Sequence, residues 1–126
     1  MSRSVVRGIF LLFVVLLSSV AGSAAAQSAK ERRARTDYEM GYRLYLDQDW
    51  SGSAFYFERA LENSDRASVR LMLASALAHK GTCDRVKGLL DGIVWSQIPQ
   101  GSVRDEARRL AGEARNLCFG RKKPSP

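Results

Sequence analysis

A single histidine and two cysteines in 126 residues leave few ways to build a catalytic or multi-ligand metal site. The acidic residues are scattered rather than clustered, which narrows the options further. Only three prolines, with 45% hydrophobic and 26% charged residues, separate the chain from disordered sequences. Its length allows one domain at most. Beyond the N-terminal segment no stretch alternates polar and apolar residues at period two, so no strand is expected. No cofactor and no metal are expected.

The one long apolar run lies at the start. Residues 1–26 carry Arg3 and Arg7, then an almost unbroken apolar run over residues 8–20, then Ala24, Ala25 and Ala26. This is the layout of a secretory signal peptide cut after Ala26. The alternative is an uncleaved anchor. A spanning helix needs about 20 apolar residues, and residues 9–20 alone are too short. The two arginines are not adjacent, so a twin-arginine signal is unsupported. No cysteine follows the small residues, so an acylated lipoprotein is unsupported too. The expected destination is the periplasm or the exterior.

The net charge is +7 over the whole chain. Much of the excess sits at two ends of residues 27–126. Lys30, Arg32, Arg33 and Arg35 form a basic N-terminal arm over residues 27–35. Arg121, Lys122 and Lys123 lie in a tail over residues 119–126. Basic ends often mean nucleic acid, but export argues against it. Solvated arms are the plain reading, with weak contact to an anionic envelope surface or an acidic partner as the other.

Between these ends the spacing is helical. Five amphipathic helices are expected, over about residues 36–46, 51–62, 66–80, 83–93 and 102–118. In the second, Trp50, Ala54, Phe57 and Leu61 recur at steps of four, three and four along one face. Asn63, Ser64 and Asp65 offer capping groups for the third. That helix is apolar on several sides (Val69, Leu71, Met72, Leu73, Ala74, Leu77, Ala78), so it belongs in the middle, covered all round. The fourth carries Val86, Leu89, Leu90 and Ile93, and a loop with Trp95 and Pro99 follows. Ser102 with Asp105 reads as a weak capping box for the fifth. Val103, Ala107, Leu110, Ala111, Ala114 and Leu117 give that helix one apolar stripe. Short connections make neighbouring helices antiparallel hairpins.

Shifted by 33 residues the chain matches itself. Gly41 falls on Ala74, Leu44 on Leu77, Trp50 on Cys83, Ser53 on Val86, Phe57 on Leu90, and Ala60 on Ile93. A period near 34 with two helices per unit is the mark of a helical repeat array. Met40, Gly41 and Leu44, then Ser53, Phe57, Ala60 and Leu61, make the sequence resemble the tetratricopeptide repeat (TPR) family. The stretch DQDWSGSAFYFERAL (residues 47–61) matches the family's turn and second helix closely. The second unit departs, with Ala74 for the glycine and Cys83 for the turn aromatic, although Gly81 fits. Asp37 stands where a Trp is usual, and Asp65 where a closing Pro is usual. The resemblance covers residues 36–93. It implies an all-α fold over residues 36–118, with two TPR-like hairpins and a capping helix in a right-handed α-solenoid fragment. An unrelated helical bundle is the alternative.

In a repeat stack the first helices of successive hairpins run parallel. The third helix then finishes at the same end as the fifth, which places Cys83 near Cys118. In an oxidising compartment that implies a disulfide, worth about 3–4 kcal/mol by loop-closure entropy. Two free buried thiols are the alternative.

The resemblance also implies a concave face built from the first helix of each hairpin. Carried over, it would be lined by Arg35, Tyr38, Tyr42, Tyr45 and Leu46, then Ser68, Leu71, Ser75 and His79. The three tyrosines form an aromatic strip suited to peptide capture, or they pack against neighbouring segments. Some TPR proteins clamp a terminal carboxylate with Lys and Asn. Here Tyr38 and Tyr42 hold the matching places, so that activity is unsupported. His79 reads as a capping or groove residue, and no triad forms around it. The expectation is an exported adaptor that binds a protein or peptide and performs no chemistry. The alternative is a structural subunit, docking into a larger assembly or a homodimer.

Overall fold

The computed structural model describes residues 2–120, with side chains from residue 24 onward. All regular structure among them is helical: α1 (Ser2–Leu46), α2 (Trp50–Asn63), α3 (Ala67–Lys80), α4 (Val86–Asp91), a 3-10 turn at Trp95–Gln97, and α5 (Ser102–Phe119). The chain divides into two compact units, Met1–Arg32 and Arg33–Pro126. The first is helical. The second contains the rest of α1 and every other element, and the site described below lies wholly within it. The side chains of the expected signal run and the basic tail beyond Gly120 lie outside the described residues. Among those described, no helix is long and apolar enough to cross a membrane.

Helix α1 does not begin near Thr36. Residues 27–35 are helical rather than a separate irregular arm. The cause is local, because residues 24–35 are mostly Ala, Lys, Arg, Glu and Gln, all strong helix formers, with no Gly or Pro. Ala34, Asp37 and Gly41 are buried at helical spacing, so the packed face starts two residues before Thr36. The Arg59 guanidinium lies 3.8 Å from the buried Asp37 carboxylate. At the other end Gln48 takes a left-handed backbone (φ 61°), and the Asp49 N–H donates back to the Leu44 carbonyl. Asp49 then caps α2, its carboxylate accepting from the Gly52 N–H at 2.9 Å.

Helix α3 is the centre. Residues 71–78 are all buried, and α2, α4 and α5 each pack on it. Its C-terminus closes on Gly81 at φ 87°, where the Thr82 N–H donates to the Leu77 carbonyl. Its N-terminus corrects one expectation. Arg66 is the cap residue and its side chain makes no capping hydrogen bond, while Asp65 is drawn instead into a two-point pair with Arg70 (2.7 and 2.8 Å). The Ala67 N–H donates to Gln97 Oε1, which arrives from the 3-10 turn. Helix α5 corrects another. Gly101 is its cap, and Ser102 caps nothing; the Asp105 N–H donates to the Gly101 carbonyl. The α5 stripe is also narrower than expected. Ala107, Ala111 and Ala114 are buried, whereas Val103 and Leu117 are more than half exposed.

Of the six pairs matched 33 apart, four are buried at both positions, Trp50 and Cys83 are both partly buried, and Leu44 is partly buried against a buried Leu77. Ser53, Phe57 and Ala60 are fully buried, as is Val86, and Leu90 and Ile93 nearly so; Gly41 and Ala74 are buried together. Cys83 and Cys118 form a disulfide, with their Cα atoms 5.5 Å apart, joining the turn before α4 to the end of α5.

Gly41 sits where α1 crosses α2. A Cβ added there would stand 2.8 Å from the Phe57 ring, which is fully buried and has no room to yield. Gly41→Ala should therefore destabilise the fold by about 1–3 kcal/mol despite the better helix propensity of alanine. Urea unfolding checks this. Gly112→Ala on α5, where an added Cβ meets nothing, should be neutral or stabilising.

Candidate functional site

Three helices face one groove. Tyr38 and Tyr42 of α1 form one side, Ser68, Leu71 and Met72 of α3 the floor, and Val103, Glu106 and Leu110 of α5 the other side. Gln97, Ile98 and Pro99 close one end, and the cavity measures about 570 Å³. That volume lies within the range of ligand pockets, and its walls are mainly apolar with a few polar groups.

Each tyrosine has a different environment. Tyr38 and Tyr42 lie nearly parallel, with ring centroids 6.5 Å apart. Tyr38 also tilts against Phe57 at 5.5 Å, and its burial pushes the phenol above its ordinary value of 10.0. Tyr42 is 45% exposed and shows its ring to water. Tyr45 turns inward: its hydroxyl shares a hydrogen bond of 2.7 Å with Ser75 Oγ, itself fully buried. Tyr45 also meets Trp50 edge-on at 5.0 Å, and Trp50 stacks on His79 at 4.2 Å.

His79 Nε2 lies 2.9 Å from a Glu113 carboxylate oxygen. Arg109 donates to both Glu113 (3.0 Å) and Glu106 (2.6 and 2.9 Å). A rim of polar contacts thus runs from Glu106 through Arg109 and Glu113 on α5 to His79 on α3. The Arg109 guanidinium holds the Glu106 carboxyl below the usual carboxylate range, so this pair is ionic at neutral pH.

Of the nine residues expected on the concave face, Tyr38, Tyr42, Ser68 and Leu71 line the cavity together. Tyr45, Ser75 and His79 form a neighbouring cluster that is packed and hydrogen-bonded. Arg35 and Leu46 do not line the cavity: Arg35 is exposed, and Leu46 borders a shallower hollow with Tyr38, Glu39, Tyr42 and Arg43. The α5 wall and the Ile98–Pro99 end were not expected. Val103 and Leu110, seven apart on the apolar stripe, were the available signal, but the stripe reads equally well as core. No family model, curated protein or solved structure matches the chain.

Two tests follow from this packing. Tyr45→Phe leaves the buried Ser75 hydroxyl without its partner and should cost about 1–2 kcal/mol of stability, with Tyr45→Phe/Ser75→Ala recovering part of it. Burial disfavours the Tyr38 phenolate, so its contribution to stability is present below pH 10.0 and lost as pH rises through its higher folded value. Ultraviolet titration should show a phenol ionising above pH 10 that disappears in Tyr38→Phe.

Proposed function

We propose that this protein is an exported adaptor of TPR-like design that holds a peptide segment of a protein partner in the α1–α3–α5 groove, without chemistry. The observation that carries this is Tyr42, a half-exposed ring at the edge of an apolar cavity whose other walls are already built. Ordered aromatic side chains contribute contact area at little rotamer cost. The like burial of positions 33 apart supports a two-hairpin repeat, with α5 as the capping helix. The Cys83–Cys118 bond is compatible with an exported location, as is the composition of the first 26 residues. Nucleic acid has no part in this reading, and weak contact of the basic ends with an anionic envelope surface remains compatible with it.

A second reading, a structural subunit or homodimer docking through the ends of the stack, is favoured by Phe55 on α2 and Phe119 at the end of α5. Both are more than half exposed. It predicts a native mass that rises with protein concentration.

Selection of peptides from a displayed random library on the purified protein separates the two. Groove binding predicts peptides whose affinity falls at least tenfold in Tyr42→Ala, with unchanged circular dichroism, and holds in Phe55→Ala. Peptides indifferent to Tyr42, or none at all, would sink the groove.

A further inference from the structure

Helix α5 is attached in an unusual way. The side chains it buries fully are three alanines, Ala107, Ala111 and Ala114, and its larger residue Leu110 is only half-buried. Alanine removes little apolar area from water, so this seam is weak for a helix of eighteen residues. The N-terminal half has other holds. Arg104 donates twice to the Ile98 carbonyl, at 2.7 and 3.2 Å, and the Arg108 guanidinium lies 4.9 Å from the centre of the Trp95 ring.

The C-terminal half depends on less. Glu113 meets His79 and Arg115 lies 3.5 Å from Asp91, both between partly or largely exposed side chains. Exposed ion pairs of this kind contribute little. Gly112 sits mid-helix with open space around it, so it weakens the helix without any packing need. Beyond it, among the described residues, the strongest tether is the bond from Cys118 to Cys83, with Ala114 the one buried side chain. Both cysteines are half-buried rather than sealed, which leaves the bond open to attack by a thiolate.

We infer that the Cys83–Cys118 disulfide is a redox-sensitive clamp that holds the C-terminal half of α5 against the fold. A dithiol supplies two electrons and two protons, the S–S bond breaks, two thiols form, and the dithiol closes its own disulfide. Residues 112–119 then loosen, Glu113 leaves His79, and the Arg109–Glu106 pair at the α5 rim of the groove loses its link to α3, which weakens peptide capture. Only this last consequence rests on the groove being a peptide site.

The test uses the whole protein, oxidised and then reduced with dithiothreitol, with Cys83→Ser/Cys118→Ser beside it. Amide hydrogen exchange in residues 112–119 should quicken at least tenfold on reduction, and exchange in α2 and α3 less than twofold. The chain has one histidine, so a single imidazole resonance should shift as Glu113 departs. The double variant should match the reduced protein without reductant; should it fail to accumulate, the reduced wild type carries the same reading. Unchanged exchange in α5, or equal quickening in α2 and α3, overturns the clamp. A Tyr42-dependent peptide should bind the reduced protein severalfold more weakly. Equal affinity on a loosened α5 overturns the link to the groove. If α5 loosens and no such peptide binds either form, the groove reading falls while the clamp stands.

Discussion

Residues 71–78 turn no side to water, and the rest of the fold follows from covering them. A helix buried all round must have neighbours all round, and α2, α4 and α5 supply them, with Tyr45 of α1 over Ser75. Burial also creates a difficulty at its ends, where backbone groups lack partners within the helix. Gly81 resolves the C-terminus by turning left-handed. Gln97 serves the N-terminus by reaching from the loop after α4 to the Ala67 N–H. The latter contact helps hold that loop beside α3, and the loop brings Ile98 and Pro99 to the end of the cavity. The edge of the groove is therefore partly a by-product of capping the central helix.

Small residues set the distances between helices. Gly41 lets α1 approach close to the Phe57 ring, and the three alanines of α5 let it lie close on α3. Close approach along a seam of alanines leaves the larger residues of α5 at the side of the contact instead of in it. Val103 and Leu110 consequently face the cavity, although the sequence pattern alone would put them in the core. Fine positioning and weak attachment have the same origin here, since a seam of small residues brings helices together without burying much area.

What was legible in the sequence was what depends on local pattern. The bounds of α2 and α3 fall within about one residue of those read from spacing, because strong periodicity and flanking turn residues mark them. The cysteine pair was also reachable, through the repeat-stack resemblance, which implied that the third and fifth helices finish at one end. The capping groups were not. Ser64, Asp65 and Ser102 are suitable residue types, but Asp65 finds a stronger partner in Arg70, and Gly101 takes the place before Ser102. The true partner of the α3 N-terminus lies thirty residues away, beyond any local signal. The early start of the packed α1 face was visible in Ala34, Asp37, Tyr38 and Gly41, at steps of three, one and three. A buried carboxylate among them, 3.8 Å from the Arg59 guanidinium, disguised it.

The tyrosine strip shows why a continuous pattern on a helix is not yet a continuous surface. Tyr38, Tyr42 and Tyr45 share a face of α1, but that face passes over neighbours of different height. Tyr38 meets Phe57 and is partly buried. Tyr45 meets Ser75, Trp50 and the His79 ring, and is held by a hydrogen bond as well as by stacking. Between them Tyr42 keeps its ring half in water, against a Tyr38 that is already fixed. Binding costs conformational freedom, and a ring held at both ends of its strip has less to lose than one on a mobile loop. The outer two tyrosines thus belong to the stability of the fold. Under the groove-binding proposal Tyr45 would act only indirectly, by setting the direction in which Tyr42 faces a partner, while Tyr38 lines the cavity beside it.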